Sequence, residues 1–158
     1  MSTAHDFSFT SIEGKPLPMK NYKGRPVLVV NTASACGFTP QYKGLQQLWS
    51  THKSKGLVVL GVPSNDFGAQ EPGTEQEISA FCESRFGVDF PLTSKVHVIG
   101  AEAHPMFKWI AAQLGEGAAP KWNFTKYLIG KEGAILETFG PRADPLSPEI
   151  VKAVDAAL

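Results

Sequence analysis

The stretch Val27-Leu28-Val29-Val30 runs through Asn31 and Thr32 into Ala33-Ser34-Ala35-Cys36-Gly37-Phe38-Thr39-Pro40-Gln41, and it limits the fold more tightly than any other. A β-branched apolar run reads as a strand buried on both faces. It then breaks into small residues and presents a cysteine beside a glycine. Thr39 is expected to N-cap a helix whose first residue is Pro40. A thiol on a turn between a strand end and a helix N-terminus sits where backbone N–H groups favour the thiolate. The same residues also suit a buried structural cysteine, because free Cys is among the most buried residue types. This stretch by itself does not separate the two readings.

The following residues extend the pattern. Tyr42, Leu45, Leu48 and Trp49 share one helical face over residues 40–55, and Gly56 closes that helix. Leu57-Val58-Val59-Leu60-Gly61-Val62 reads as a second buried strand. It leads into a polar loop over residues 63–73, long for a simple connection. Thr74 and Glu77 have capping-box spacing ahead of a helix that carries Ile78, Phe81, Cys82 and Phe86 on one side and ends at Gly87. Extended chain around Leu92, Val96, Val98 and Ile99 precedes a third helix from His104-Pro105, with Met106, Phe107, Ile110 and Leu114 facing inward. After a small-residue linker at 115–120, residues 124–129 and 134–139 form strands joined by a Gly-Lys-Glu-Gly turn. Ser147-Pro148 opens a last helix with Ile150, Val151, Val154 and Leu158 on its inner face. Ahead of all this, Phe7-Ser8-Phe9-Thr10 and Leu17-Pro18-Met19 flank a turn and read as an N-terminal β-hairpin.

Strand–helix–strand demands a parallel pair with a crossover, and the late hairpin adds antiparallel strands. The expected architecture is an α/β thioredoxin-like fold, a central mixed β-sheet flanked by helices with an N-terminal β-hairpin. Its 158 residues form a single domain, 1–158. In open α/β sheets, sites gather beyond the carboxyl ends of the parallel strands. Cys36 and the 63–73 loop lie at those ends, which tilts the cysteine toward chemistry.

Lys plus Arg and Asp plus Glu both number 15, so the formal net charge is zero, with no electrostatic footprint for nucleic acid or an anionic membrane. The apolar runs are too short to span a bilayer. Residues 1–6 show no basic region followed by an apolar core, which predicts a cytoplasmic, reducing location. There a cysteine pair is redox-active more often than it is a structural staple. His5, His52, His97 and His104 lack metal-ligand spacing, so no metal is expected, and no phosphate-binding glycine motif or bound organic cofactor is indicated.

Three blocks taken together, Asn31-Thr32-Ala33-Ser34-Ala35-Cys36-Gly37-Phe38-Thr39, Pro63-Ser64-Asn65-Asp66-Phe67-Gly68-Ala69-Gln70-Glu71-Pro72-Gly73 and Lys121-Trp122-Asn123-Phe124-Thr125-Lys126, resemble the signature segments of the glutathione peroxidase family. The similarity extends over essentially the whole chain. It implies a catalytic tetrad of Cys36, Gln70, Trp122 and Asn123. The chemistry is coherent. A free thiol near pKa ~8.5 is only a few per cent ionised at neutral pH, and each tenfold gain in thiolate needs about 1.4 kcal/mol of preferential stabilisation of the anion. Two amides and an indole N–H are neutral donors, and hydrogen bonds to an ion are worth roughly 1.5–3 kcal/mol each.

The segment Phe81-Cys82-Glu83-Ser84-Arg85-Phe86-Gly87 resembles the cysteine block of family members that form an internal disulfide and are reduced by thioredoxin. The resemblance therefore implies that Cys82 resolves a Cys36 sulfenic acid, the product of hydroperoxide attack. Cys82 also lies on an apolar face, where a buried helix cysteine is the ordinary expectation. Thr39 stands where a thioredoxin carries its second cysteine, so exchange through a C-x-x-C motif is ruled out. The larger oligomeric members carry an insertion near residues 115–122 that this chain lacks, which implies a monomer with an open site. The implied activity is an antioxidant thiol peroxidase acting on hydrogen peroxide and organic hydroperoxides, including lipid ones. Thioredoxin or a similar dithiol protein would be the reductant, with glutathione as the alternative. A hydroperoxide sensor passing its oxidation to a partner protein is the competing function.

Overall fold

Strand β3 (Val27–Thr32) is the axis of the main sheet, and its alternation explains the layers around it. In the computed structural model, which describes residues 2–158, every residue of β3 is buried. Strand β4 (Val58–Pro63) pairs with it in parallel, and β5 (Lys126–Ile129) pairs on the other side, antiparallel. Strand β6 (Ile135–Phe139) closes that edge antiparallel to β5, giving the order β4-β3-β5-β6. Strands β1 (Ser8–Thr10) and β2 (Pro16–Pro18) form a separate antiparallel hairpin.

Successive side chains of a strand point to opposite faces. Val27 and Val29, with Val58, Leu60, Tyr127 and Ile129, therefore enter one core. There they meet Met106, Phe107 and Ile110 of helix α3 (Pro105–Leu114), together with Phe9 and Met19. Leu28 and Val30, with Val59 and Leu128, enter the other core. That layer is closed by Tyr42, Leu45 and Leu48 of α1 (Gln41–His52), Ile78 of α2 (Glu75–Phe86), and Ile150 and Val154 of α4 (Pro148–Ala157). The sheet is thus mixed and covered on both faces, as expected for a thioredoxin-like fold. Among the described residues, no helix is long and apolar enough to cross a membrane.

The departures from expectation are local. The chain after α2, expected to be extended, forms only isolated bridges, Gly61 with Leu92 and Ser11 with Thr93. Gly61 permits the approach, because a Cβ there would lie 2.5 Å from Leu92 Cδ2. Leu114, expected on the inner face of α3, is exposed, since the helix ends there and turns away at Gly115. Thr39 does not cap α1. Residue Pro40 occupies the cap position without a side-chain hydrogen bond, and the Thr39 hydroxyl is engaged elsewhere.

Candidate active site

Beyond the end of β3 the chain makes a short loop that is tied back on itself. The Thr39 hydroxyl donates to the Ala33 carbonyl (2.8 Å) and accepts from the Cys36 N–H (2.9 Å), while the Thr39 N–H donates to the Cys36 carbonyl (3.0 Å). Thr39 therefore braces the cysteine turn from within. Cys36 Sγ accepts from the Phe38 N–H at 3.3 Å, so a backbone donor already faces the sulfur. The residue is 8% exposed and is a free thiol.

The 63–73 loop is stitched to this turn. The Gln70 backbone carbonyl accepts from the Ala35 N–H (3.0 Å), which fixes the register between the two segments. The loop is shaped from within by Asn65, whose Oδ1 accepts from the Glu71 N–H at 2.8 Å. Gly68 and Ala69 both have positive φ, 63° and 51°. A Cβ on Gly68 would lie 3.3 Å from Trp122 Cη2, so the bare glycine lets the indole lie close against the loop. The Trp122 ring also rests on Phe67, with centroids 5.8 Å apart.

The third segment is held by Asn31, near the end of β3. Its backbone and side chain together grip residues 122–125. Asn31 Nδ2 donates to the Trp122 carbonyl (3.1 Å), and Oδ1 accepts from the Thr125 N–H (3.1 Å). The Asn31 carbonyl accepts from the Phe124 N–H (2.6 Å), and the Asn31 N–H donates to the Thr125 carbonyl (3.3 Å). The clamp sustains a left-handed conformation at Phe124, φ 64°, which costs a bulky residue roughly 1–3 kcal/mol. That turn sends the Phe124 ring into the core, edge-on to Tyr42 at 5.4 Å. Trp122 and Asn123, just before it, meet the 63–73 loop.

These constraints bring Gln70 and Asn123 into contact, set Trp122 against the same loop, and join that loop to the Cys36 turn through the Ala35–Gln70 backbone bond. Asn123 Nδ2 donates to Gln70 Oε1 at 3.0 Å, which leaves the Gln70 amide nitrogen as the donor end of that side chain. Asn123 is fully buried. Glu71, next to Gln70 in the loop, is also buried and has an Oε2 without a hydrogen-bond partner; desolvation raises its carboxyl above the usual range. Thr39 and Asn31 build the site without being marked as site residues by the sequence. For Asn31 the available signal is an asparagine directly after four apolar residues of a buried strand.

Cys82 is placed differently. It lies inside α2, 1% exposed, against Tyr42 and the same core that lines the back of the Cys36 loop. Burial pushes its thiol up to about 11, partly relieved by the Tyr42 hydroxyl and reinforced by the charge of Glu71. Tyr42 Oη adjoins Cys82 and Thr32 yet makes no hydrogen bond of normal geometry. No disulfide joins the two cysteines.

A family model described as glutathione peroxidase matches residues 4–111. The chain is 46% identical over 156 residues to "Glutathione peroxidase-like peroxiredoxin GPX5" of Chlamydomonas reinhardtii, covering 96% of each. It is 45% identical over 152 residues to "Hydroperoxy fatty acid reductase gpx1" of Synechocystis sp., covering 91% of this chain and 90% of the relative. The crystal structure of Trgpx in apo form superposes with a TM-score of 0.79 at 34% identity, covering 99% of this chain and 96% of that one. A thiol:disulfide interchange protein of the thioredoxin family from Chlorobium tepidum, at 19% identity and a TM-score of 0.71, shares the fold alone. The brace on Cys36 and the Gln70–Asn123 link are features of a chain that belongs to the glutathione peroxidase family.

Proposed function

We propose that the protein is a thiol peroxidase in which Cys36 attacks hydrogen peroxide and organic hydroperoxides. The Cys36 thiolate takes the terminal oxygen of ROOH, the O–O bond breaks, and RO⁻ leaves to collect a proton as alcohol or water. Cys36 is then a sulfenic acid. Attack by the Cys82 thiol forms the disulfide and releases the sulfenic oxygen as water. A dithiol protein such as thioredoxin reduces that disulfide and is itself oxidised, which returns both cysteines to thiols.

The observation that carries this reading is the Asn123–Gln70 side-chain hydrogen bond, 3.0 Å long, docked beside the cysteine turn by the Ala35–Gln70 backbone contact. With its oxygen engaged by Asn123, Gln70 is left to donate through nitrogen. A neutral donor aimed at a developing anion acts without reorganising during the reaction. The Phe38 N–H is a further donor, already on the sulfur. Trp122, packed against Gly68 and sharing a groove with Phe38, brings an indole N–H to the same region. The name of the Synechocystis relative supports an organic, fatty-acid hydroperoxide among the substrates. The Chlamydomonas relative, named a peroxiredoxin, supports a protein thiol as reductant. A cytoplasmic monomer completes the proposal.

Peroxide-driven NADPH oxidation tests it. Turnover is expected with thioredoxin and its reductase, and turnover at least tenfold slower with glutathione and its reductase. The reverse ranking would transfer the reductant role to glutathione. Absence of turnover with both would remove the peroxidase assignment.

A further inference from the structure

Lys126 is a buried ionisable side chain that the chemistry above leaves unused. It lies on β5 with no exposed surface, and its register partner on β6 is Phe139. Burial lowers its pKa to about 8, partly offset by Asp144, so the ammonium persists at neutral pH.

The Lys126 ammonium donates to the carbonyls of Gly140 (3.3 Å), Pro141 (3.2 Å) and Ala143 (2.6 Å). An ammonium has three protons and no acceptor, so this cluster uses its full donor capacity. Gln41 Nε2 adds a second strut to the same segment, donating to the Pro141 carbonyl at 2.7 Å. With its carbonyls turned toward these donors, the segment shows Pro141 and Ala143 to a groove of about 670 Å³, whose other walls are Phe38 and Trp122. Arg142 and Glu149 stand at its exposed rim. Phe38 and Trp122 thus tie this groove to the turn and the segment docked around Cys36.

We propose that Lys126, with Gln41 as its second strut, is a positioning residue that shapes the groove for the apolar body of an organic hydroperoxide. The inference rests on the thiol peroxidase reading. Hydrogen peroxide has no apolar body and needs no groove. Loss of the ammonium leaves the Ala143 carbonyl without its donor, and Gly140 and Pro141 keep only the Ala143 N–H and Gln41; the Ala143 carbonyl then turns toward water, which moves the segment's apolar side out of the groove wall.

The test is single-turnover oxidation of pre-reduced enzyme by cumene hydroperoxide and by hydrogen peroxide, read as loss of alkylatable Cys36 by mass spectrometry. Lys126→Met keeps the stem and removes the donors. It is expected to slow cumene hydroperoxide roughly tenfold, the scale on which an apolar pocket discriminates, against less than about twofold for hydrogen peroxide. Gln41→Ala is expected to change the ratio in the same direction, by roughly threefold, as suits one lost hydrogen bond. If Lys126→Met does not fold, the ratio in Gln41→Ala decides. Equal losses with both peroxides, or an unchanged ratio, would overturn the proposal. A wild-type enzyme inert toward both peroxides would overturn the peroxidase reading with it.

Discussion

The two cysteines occupy opposite kinds of environment within one core. Cys36 sits on a braced turn, with the Phe38 N–H on its sulfur and a loop carrying the Gln70–Asn123 amide pair docked beside it. Cys82 sits inside a helix, 1% exposed, and its thiol is pushed up to about 11 by burial. One thiol is held ready by fixed geometry. Burial holds the other in its protonated form, and we infer that α2 must open before its thiol can attack Cys36. The contrast teaches how burial would order the proposed two-cysteine cycle in time, with the first oxidation preceding the motion that the second step requires.

The largest expected effects test this division. Cys36→Ser should abolish peroxide consumption, measured with any reductant, and full turnover in that variant would break the comparison at once. Cys82→Ser should leave the first oxidation intact and stop thioredoxin-driven turnover. Its sulfenic acid should then accumulate and be captured by dimedone at Cys36. Continued turnover at the wild-type rate would give the resolving role to some other thiol.

Much of this is legible in the chain. Alternation in Val27-Leu28-Val29-Val30 gives both cores, and the spacing of Thr74 and Glu77 gives the start of α2. The roles of Gln70, Trp122 and Asn123 come from resemblance, because nothing local marks a loop glutamine as a donor. Thr39 misleads because a threonine before a proline satisfies the rule for a helix cap. Its hydroxyl reaches back to Ala33 instead, a contact that only the closed loop creates. Asn31 and Lys126 escape sequence reasoning for a related reason. Their partners lie at 122–125 and 140–143, and periodicity carries no record of such long-range polar contacts.

The pH dependence of disulfide formation sharpens the comparison next. A thiol raised to about 11 holds its proton at neutral pH, so attack from the closed helix would keep accelerating tenfold per pH unit up to about 11. If α2 opens first, Cys82 titrates as an ordinary thiol near ~8.5, and the rate levels above that value. The second profile is expected. Quenched-flow measurement of the step after one equivalent of peroxide distinguishes them, and a continuous rise through pH ~10 would place the attack in the folded helix.

The smallest effect concerns how firmly α2 is closed. Thr74 Oγ1 accepts from the Glu77 N–H (3.2 Å), and Glu77 Oε1 accepts from the Thr74 N–H (3.0 Å). Removing a cap of this kind costs a helix about 1 kcal/mol, which corresponds to roughly a fivefold change in an opening equilibrium. Thr74→Ala should therefore speed Cys36–Cys82 disulfide formation by up to about fivefold, with little change in the first oxidation. Hydrogen exchange across residues 75–86 should rise by the same factor. Faster exchange without faster disulfide formation would mean that opening of α2 does not limit the step, and the closed helix would lose its place as the timer of the cycle.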